Sequence, residues 1–427
     1  MSETDGAAEP KFAAFLAIDW ADRKHAWSLQ AAGCDQRESG EIQHTPEAVE
    51  AWVATLSARF AGEPIAVALE QSHGALVFML GKYGQLHMYP IHPRSAAQFR
   101  AALYPSGAKD DPVDADLLLD LLVLHRKHIR PLRPDTEQTR LVRNQVENRR
   151  RLVDEKTRQV QRLTAQLKLY FPQVLNWFDK VESPLVGALL HRWPTLPDLQ
   201  KARPDTIRSF CRRHNCRDAE LIEERIQKID QAVPATRDAA VIQSAITMTG
   251  SLLDLIASLR TSIQKVEQQI DETTSAHPDF PVFASFPGAG PALAPRLLAA
   301  FGSIREAYPA ASAMQKHSGI APVIRRSGNA EFVHFRRACP KFLRQSFHEW
   351  ASHSIAFCAW ARVFYHQQRQ KGHSHHAAVR ALAFKWIRIA FRCWQDGVPY
   401  DDSRYVEALR RHGSPLAAAL DASNQQG

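Results

Sequence analysis

The sequence predicts an α/β domain followed by a longer, mainly helical region, and three observations carry that prediction. Short apolar β-type runs alternate with helical spacings from Phe12 to about residue 135. Two long stretches then place apolar residues at steps of three and four. Beyond residue 279 helix follows helix, ending near Asp396–Asp402. Strands alternating with helices indicate an α/β sheet, and a run of helices indicates a separate α region. At 427 residues, 45% hydrophobic and 23% charged, the chain is long enough for two or three buried cores.

Residues 1–11 are polar and acidic and read as a disordered lead. The runs FLAIDW, HAWSLQ and CDQRESGEIQH follow closely and start a sheet, which is mixed because such short connections join antiparallel strands. EAVEAWVATLSARF has helical spacing, PIAVALE is a buried strand, GALVFMLGKYG a helix ending at Gly84, and LHMYPIHP another strand. Domain 12–135 closes at Pro131 and Pro134.

A coiled-coil connector, 136–278, follows. Its first helix, about Glu137 to Phe171, carries Val142, Val146, Val153, Val160, Leu163 and Leu167 as an approximate heptad seam. Its second carries Leu252, Ile256, Leu259, Ile263, Val266 and Ile270. Two such helices can pair antiparallel within one chain or between subunits. The insert between them, 172–240, is helical and punctuated by prolines. The C-terminal domain, 279–402, opens with FASFPGAGPALAPRLLAAFG, where Pro287-Gly288-Ala289-Gly290 resembles a helix–hairpin–helix turn that brings backbone N–H groups to a phosphate. Residues 403–427 read as a terminal helix and a disordered tail from about Ser414.

Formal charge is +9, and it is unevenly distributed. Between Ala321 and Gln395 thirteen Lys and Arg face two acids, Glu331 and Glu349, a net +11, so the rest of the chain carries −2. That is a phosphate-backbone footprint. The Arg149-Arg150-Arg151 run makes the first connector helix a candidate rail for RNA or DNA, set against an ordinary solvated face. Six scattered cysteines lack paired zinc-site spacing and read as reduced thiols. With no signal peptide and no run approaching a membrane span, the expected location is the cytoplasm. His373, His375 and His376 in HSHH are read as phosphate contacts or solvated rather than metal ligands, and the tryptophans from Trp350 to Trp394 as core.

Four acids carry the chemistry. Asp19 ends the first strand and Glu70 ends another, so both point to one crevice. Asp111 and Asp114, three apart at the start of a helix with Pro112 in its first turn, share a face. Hard carboxylates so placed can hold two divalent cations that activate a nucleophile and stabilise a leaving oxygen. This is how ribonuclease-H-like folds perform phosphodiester chemistry. Asp22, Asp110 and Asp116 are read as solvated or supporting neighbours.

KDDPVDA resembles the Lys-x-Asp-x-x-Asp-Ala signature of insertion-sequence transposases with a RuvC-like Asp-Glu-Asp-Asp domain, the bridge-RNA-guided recombinases related to pilin-gene invertases. AIDWADRKHAWSL and ALEQSHGAL are similar to that family's first and Glu-bearing strands. FPGAGPALAPRLLAAFGSIREAYPAASAMQKHSGIAPVIRRSGN resembles its C-terminal transposase domain. The resemblance covers about 12–130 and 280–402, and implies an RNase H/RuvC-like fold for the first block. It places Asp19, Glu70, Asp111 and Asp114 on the metal tetrad, for Mg2+ or Mn2+, and Ser327 on the nucleophilic serine. Gln-Ser-His follows Glu70 where the family more usually has Ala-Thr-Gly, so His73 could alter the pocket, and Asp110 replaces a typical Thr.

Ser327 is a poor nucleophile without nearby positive charge. Arg325, Arg326, Arg336, Arg337 and Lys341 lie close in sequence to bind a scissile phosphate. The resemblance implies a DNA transposase that cuts and rejoins strands as a homo-oligomer, dimer or tetramer, on element ends and target DNA, with a structured guide RNA. Two rivals stand beside it: a metal-dependent nuclease or Holliday-junction resolvase with a structural Ser327, and an inactive nucleic-acid-binding protein.

Overall fold

The computed structural model describes residues 10–72, 74–103, 111–328 and 330–424, with the backbone alone at Asp111, Pro112, Ser423 and Asn424. His73 and Asp110 lie outside the described residues. The chain divides into two units, Met1–Pro134 and Asp135–Gly427.

The first unit is built on β1 (Ala14–Asp19), β2 (Lys24–Ala31), β3 (Arg37–Gln43), β4 (Ile65–Leu69) and β5 (Leu86–Pro90). Their order is β3-β2-β1-β4-β5; β3, β2 and β1 are antiparallel, and β4 and β5 run parallel to β1. Four helices accompany the sheet: α1 (Pro46–Arg59), α2 (Ala75–Leu80), α3 (Pro93–Leu103) and α4 (Asp111–His125). Thr45 caps α1 by accepting from Ala48 N–H, and Pro46 occupies the first turn, where no N–H is needed. α2 ends at Gly81, three residues before the Gly84 stop read from sequence. α3 carries little periodic signal in the sequence, because it buries only Ala96.

Alternation along the strands divides the core. Ala14, Leu16 and Ile18 of β1, with Ile65, Val67 and Leu69 of β4, face the side covered by α1 and α2. Ala17, Ala66 and Ala68 face the other side, against Leu118, Leu119 and Leu122 of α4. β4 is buried on both faces, which explains its unbroken apolar run.

The second unit begins with a helical hairpin, α5 (Glu137–Tyr170) and α11 (Ala239–Ser275), enclosing α6 (Gln173–Trp177), α7 (Pro184–Arg192), α8 (Leu196–Gln200), α9 (Pro204–Arg213) and α10 (Ala219–Gln231). Thr139 meets His277 at 2.9 Å, Arg149 meets Glu267 and Tyr170 meets Thr249, so α5 and α11 run antiparallel within one chain. By length and apolarity α11 is long enough to cross a membrane, contrary to the expectation that no segment would be. Its seam, from Leu252 to Ile270, packs on α5 and the surrounding helices instead.

The remaining elements are α12 (Phe280–Ala284), α13 (Gly290–Phe301), α14 (Ala311–His317), β6 (Val323–Ser327), β7 (Ala330–His334), α15 (Lys341–Phe357), α16 (Ala359–Gln370), α17 (His375–Asp396), α18 (Asp402–Arg411) and α19 (Pro415–Asn424). Trp350, Trp360, Trp386 and Trp394 are fully buried at the centre of this core. Two expectations are corrected. β6 and β7 form an antiparallel hairpin inside a stretch read as helix after helix. The tail read as disordered from Ser414 is helical to Asn424, because Leu416, Ala417 and Leu420 are buried.

Candidate active site

Strand register brings the first two acids together. Ile18 pairs with Leu69 in the parallel β1–β4 ladder, so Asp19 and Glu70 follow adjacent strand ends about 5 Å apart. Asp19 has the parity of Phe15 and Ala17 and Glu70 continues that of Ala66 and Ala68, so Asp19, and Glu70 as β4 is prolonged, fall on the face covered by α4.

Two contacts fix how α4 crosses that face. Ser28, paired with Ala17, donates its hydroxyl to Asp116. Arg37 sits opposite Gln30, which pairs with Phe15, and its guanidinium bonds Asp120 at 2.5 Å. Moving from Asp120 back to Asp116 thus advances the helix from the level of Phe15 to that of Ala17. Four helical residues rise about 6 Å and two strand residues about 6.6 Å, so Asp114 and Asp111 continue to the level of Asp19. Asp116, read as a solvated or supporting neighbour, anchors the helix to the sheet.

Asp114 is buried, 4% exposed, and ion-paired with Arg100 from α3. Asp111 starts α4; its side chain lies outside the described residues. Among the described residues no group of three or more His, Cys, Asp or Glu is close enough to hold an ion. Sequence gave no sign of Arg100, whose local stretch, QFRAAL, is unremarkable for a surface helix.

Next to Asp19 a histidine pair orders the loop that leaves β1. Ala21 N–H donates to His25 Nδ1 at 3.1 Å, so the proton of the neutral ring is on Nε2, which donates to His44 Nδ1 at 2.8 Å. Burial and then His44 lower the His25 pKa to about 4, so the ring is neutral at physiological pH.

In the second unit Ser327 ends β6, opposite Ala330 at the turn of the hairpin, and Gly328 turns with φ +57°. Period-two alternation separates the two arginines before it. Arg325 shares the Ser327 face, where its cross-strand partner is Phe332. Arg326 points to the other face and is ion-paired with Glu331 at 2.9 Å. Phe332 and His334 stack on the Ser327 side, ring centroids 6.4 Å apart, and Phe332 is 53% exposed.

Other basic candidates divide between internal bonds and solvent. Arg336 donates to the carbonyls of Ala321 and Pro322 at the base of the hairpin. Arg337 and Lys341 are exposed, with no ion pair among the described residues. Arg149 is bonded to Glu267 across the helical hairpin, and Arg150 to Asp154 at 3.0 Å and Glu349 at 3.3 Å. Arg151 alone of that run is exposed and outside any ion pair among the described residues. Gly288 has a packing reason for its missing side chain: a Cβ would lie 2.7 Å from Ser354 N, in the backbone of α15. Gly290, at φ +53°, faces open space. His375 bonds Tyr365 and Ser374 caps α17, so HSHH serves the start of that helix.

Comparison with known proteins gives the same segments a common setting. A DEDD-type model described as a transposase, of the IS110 group, matches residues 16–172. A second, described as the transposase IS116/IS110/IS902 family, matches 281–366. The mini-circle transposase described for IS117 of Streptomyces coelicolor is 26% identical over 408 residues, 94% of this chain and 98% of that protein. The 42 kDa protein of insertion element IS900 from Mycobacterium paratuberculosis is 26% identical over 76% of this chain and 80% of its own length. A Sinorhizobium fredii transposase, y4uE, reaches 31% identity over 48% of this chain and 57% of that protein. The match to a DEDD-type transposase model over the α/β unit and to a second transposase model over the helical segment makes the chain an enzyme of the transposase class, which cleaves and rejoins DNA strands. The chain belongs to the IS110/IS116/IS117 family of transposases.

Proposed function

We propose that this transposase cuts and rejoins the ends of its own insertion sequence through Ser327, with Asp19, Glu70, Asp111 and Asp114 as a Mg2+- or Mn2+-binding tetrad on an RNase H/RuvC-like sheet. The observation that carries the reading is the register described above: β1, β4 and the start of α4 reach one end of one sheet face. The β3-β2-β1-β4-β5 order, with three antiparallel strands and two parallel ones, supports the fold assignment.

The donor set suits hard divalent ions, since it offers carboxylate oxygen only. Bound there, such ions would supply Lewis-acid polarisation of a phosphate oxygen and stabilise a departing one. Arg100 is ion-paired with Asp114 within this set.

At the hairpin, Ser327 Oγ displaces one deoxyribose oxygen from a DNA phosphate. The P–O bond to that sugar breaks, a P–Oγ bond forms, the serine proton leaves to solvent or a base, and the released sugar oxygen is protonated. Attack by the hydroxyl of another strand reverses the step and frees the serine, so no phosphodiester energy is lost. Arg325 lies where a guanidinium can hold the phosphate under attack. The guide RNA and a dimeric or tetrameric assembly belong to the same reading; exposed Arg151, Arg337 and Lys341 are available to nucleic acid.

The test is expression beside the native flanking DNA, purification under denaturing conditions, and sequencing of covalently attached nucleic acid. An adduct on Ser327, absent in Ser327→Ala, is expected. Metal-dependent nicking without an adduct, lost in Asp111→Asn, would replace this reading with a metal nuclease or resolvase.

A further inference from the structure

Outside both matched segments, α17 and α18 enclose a cavity of about 710 Å³. Its lining is chemically divided. Ile389, Tyr400, Tyr405 and Leu409 contribute apolar surface, while Lys385, Arg388 and Arg404 contribute three cations.

The acids that also line it are already engaged. Asp396 is paired with Arg392 at 2.6 Å, and Asp401 caps α18 by accepting from the N–H groups of Ser403 and Arg404. Among the described residues none of the three cations is in an ion pair. Lys385 stands over the Phe364 ring at 5.2 Å, and its pKa is lowered by burial and by the charge of Arg388, a crowding that an anion would relieve. The tyrosines are held rigidly: Tyr400 stacks on Phe286 with centroids 5.4 Å apart and bonds Trp360, and Tyr405 packs on Trp360 at 4.9 Å.

A fixed, partly aromatic wall beside unpaired cations suits a ligand with a flat apolar body and an anionic end. A nucleotide is such a ligand, and it can offer its base only when unpaired, since in a duplex the base faces are stacked. We propose that this pocket takes one unpaired nucleotide of a single strand, its base against the tyrosine–leucine wall and its phosphate on Arg388 and Arg404. The inference rests on the chain handling nucleic acid, as above, but not on the chemistry of Ser327. DNA and RNA strands share the required chemistry.

The experiment is fluorescence anisotropy of the full chain with a labelled thymidylate octamer, a uridylate octamer and a duplex of the same length, comparing wild type with Arg388→Ala/Arg404→Ala. Single strands should bind about tenfold or more weakly in the variant while the duplex changes less than about twofold. Loss confined to the thymidylate strand identifies DNA as the source, and loss confined to the uridylate strand identifies RNA. Equal loss on the duplex would reduce the site to a general phosphate patch, and no loss would remove it; either overturns the proposal. A second measurement does not depend on the variant folding. Photocrosslinking of wild type with a 4-thiothymidine octamer should label the peptide 398–409, and labelling found only elsewhere overturns the proposal. Ser327→Ala should bind the octamers normally, so failure of this site and failure of the serine mechanism are read separately.

Discussion

Arg326 is tied to Glu331 across the β6–β7 hairpin at 2.9 Å, and because side chains alternate along a strand this leaves Arg325 on the face of Ser327. Two adjacent arginines, equivalent in sequence, therefore have different surroundings. If Arg325 holds the attacked phosphate, Arg325→Ala should lower the rate of adduct formation by about 100-fold, the scale of losing one oriented charged donor. Arg326→Ala should cost less than about fivefold, because its partner is a carboxylate of the same hairpin at an exposed position. Single-turnover assays on a labelled element end would separate the two.

A second expectation concerns Arg100. Removing it leaves Asp114 as a buried carboxylate without that partner, which for a buried pair costs on the order of 3 kcal/mol. Arg100→Ala should melt earlier than wild type in chelator, and added Mg2+ should recover more of that loss in the variant than it adds to wild type. An equal Mg2+ shift in both proteins would mean that the ion does not reach Asp114.

The His25–His44 pair gives a pH dependence. The ordinary His25 pKa of 6.5 falls to about 4 on folding, so between those values the unfolded chain binds the extra proton. Its contribution is fully present above about pH 6.5, declines as pH falls, and is exhausted near pH 4, a total on the order of 3 kcal/mol. Urea titrations at pH 7 and pH 4.5 should show a smaller decline in His25→Leu than in wild type, even though the variant is less stable at neutral pH.

The two turn glycines should differ. Gly288→Ala places a Cβ against the backbone of α15 as well as forcing a positive φ, and a loss of more than about 2 kcal/mol is expected. Gly290→Ala meets only the strain of φ +53°, about 1 kcal/mol, so it is the variant in which nucleic-acid binding can be measured on a folded protein.

Much of the first unit was legible because its signals are local. Unbroken apolar β4, the closely spaced β1–β3 and the proline-marked start of α4 each announce themselves within a few residues. The approach of Asp19 to Glu70 also follows once the two strands are taken as parallel neighbours. What stayed hidden depends on long-range contacts. Arg100 is an ordinary helix-surface residue until α3 folds beside Asp114. The β6–β7 hairpin is short and exposed on both faces, so it has no alternating pattern to betray it. The tail, SPLAAALDASNQQG, has only a few core-facing residues, Leu416 and Leu420 among them, and those are buried by elements far back in the chain. The ion pairs of Arg149 and Arg150 were not legible either, because Glu267 and Glu349 are more than a hundred residues away in the chain.

The antiparallel pairing of α5 with α11 links two separate cores along one pair of rods. Val142 and Val146 of α5 with Ile270 of α11 belong to the C-terminal core, whereas Leu163, Leu167 and Leu252 belong to the core of the small helices between them. The two long helices therefore act as a stalk with a separate lobe grafted at its far end. The two apolar clusters share no residues, so they are coupled mechanically through the rods of α5 and α11 that both of them draw on.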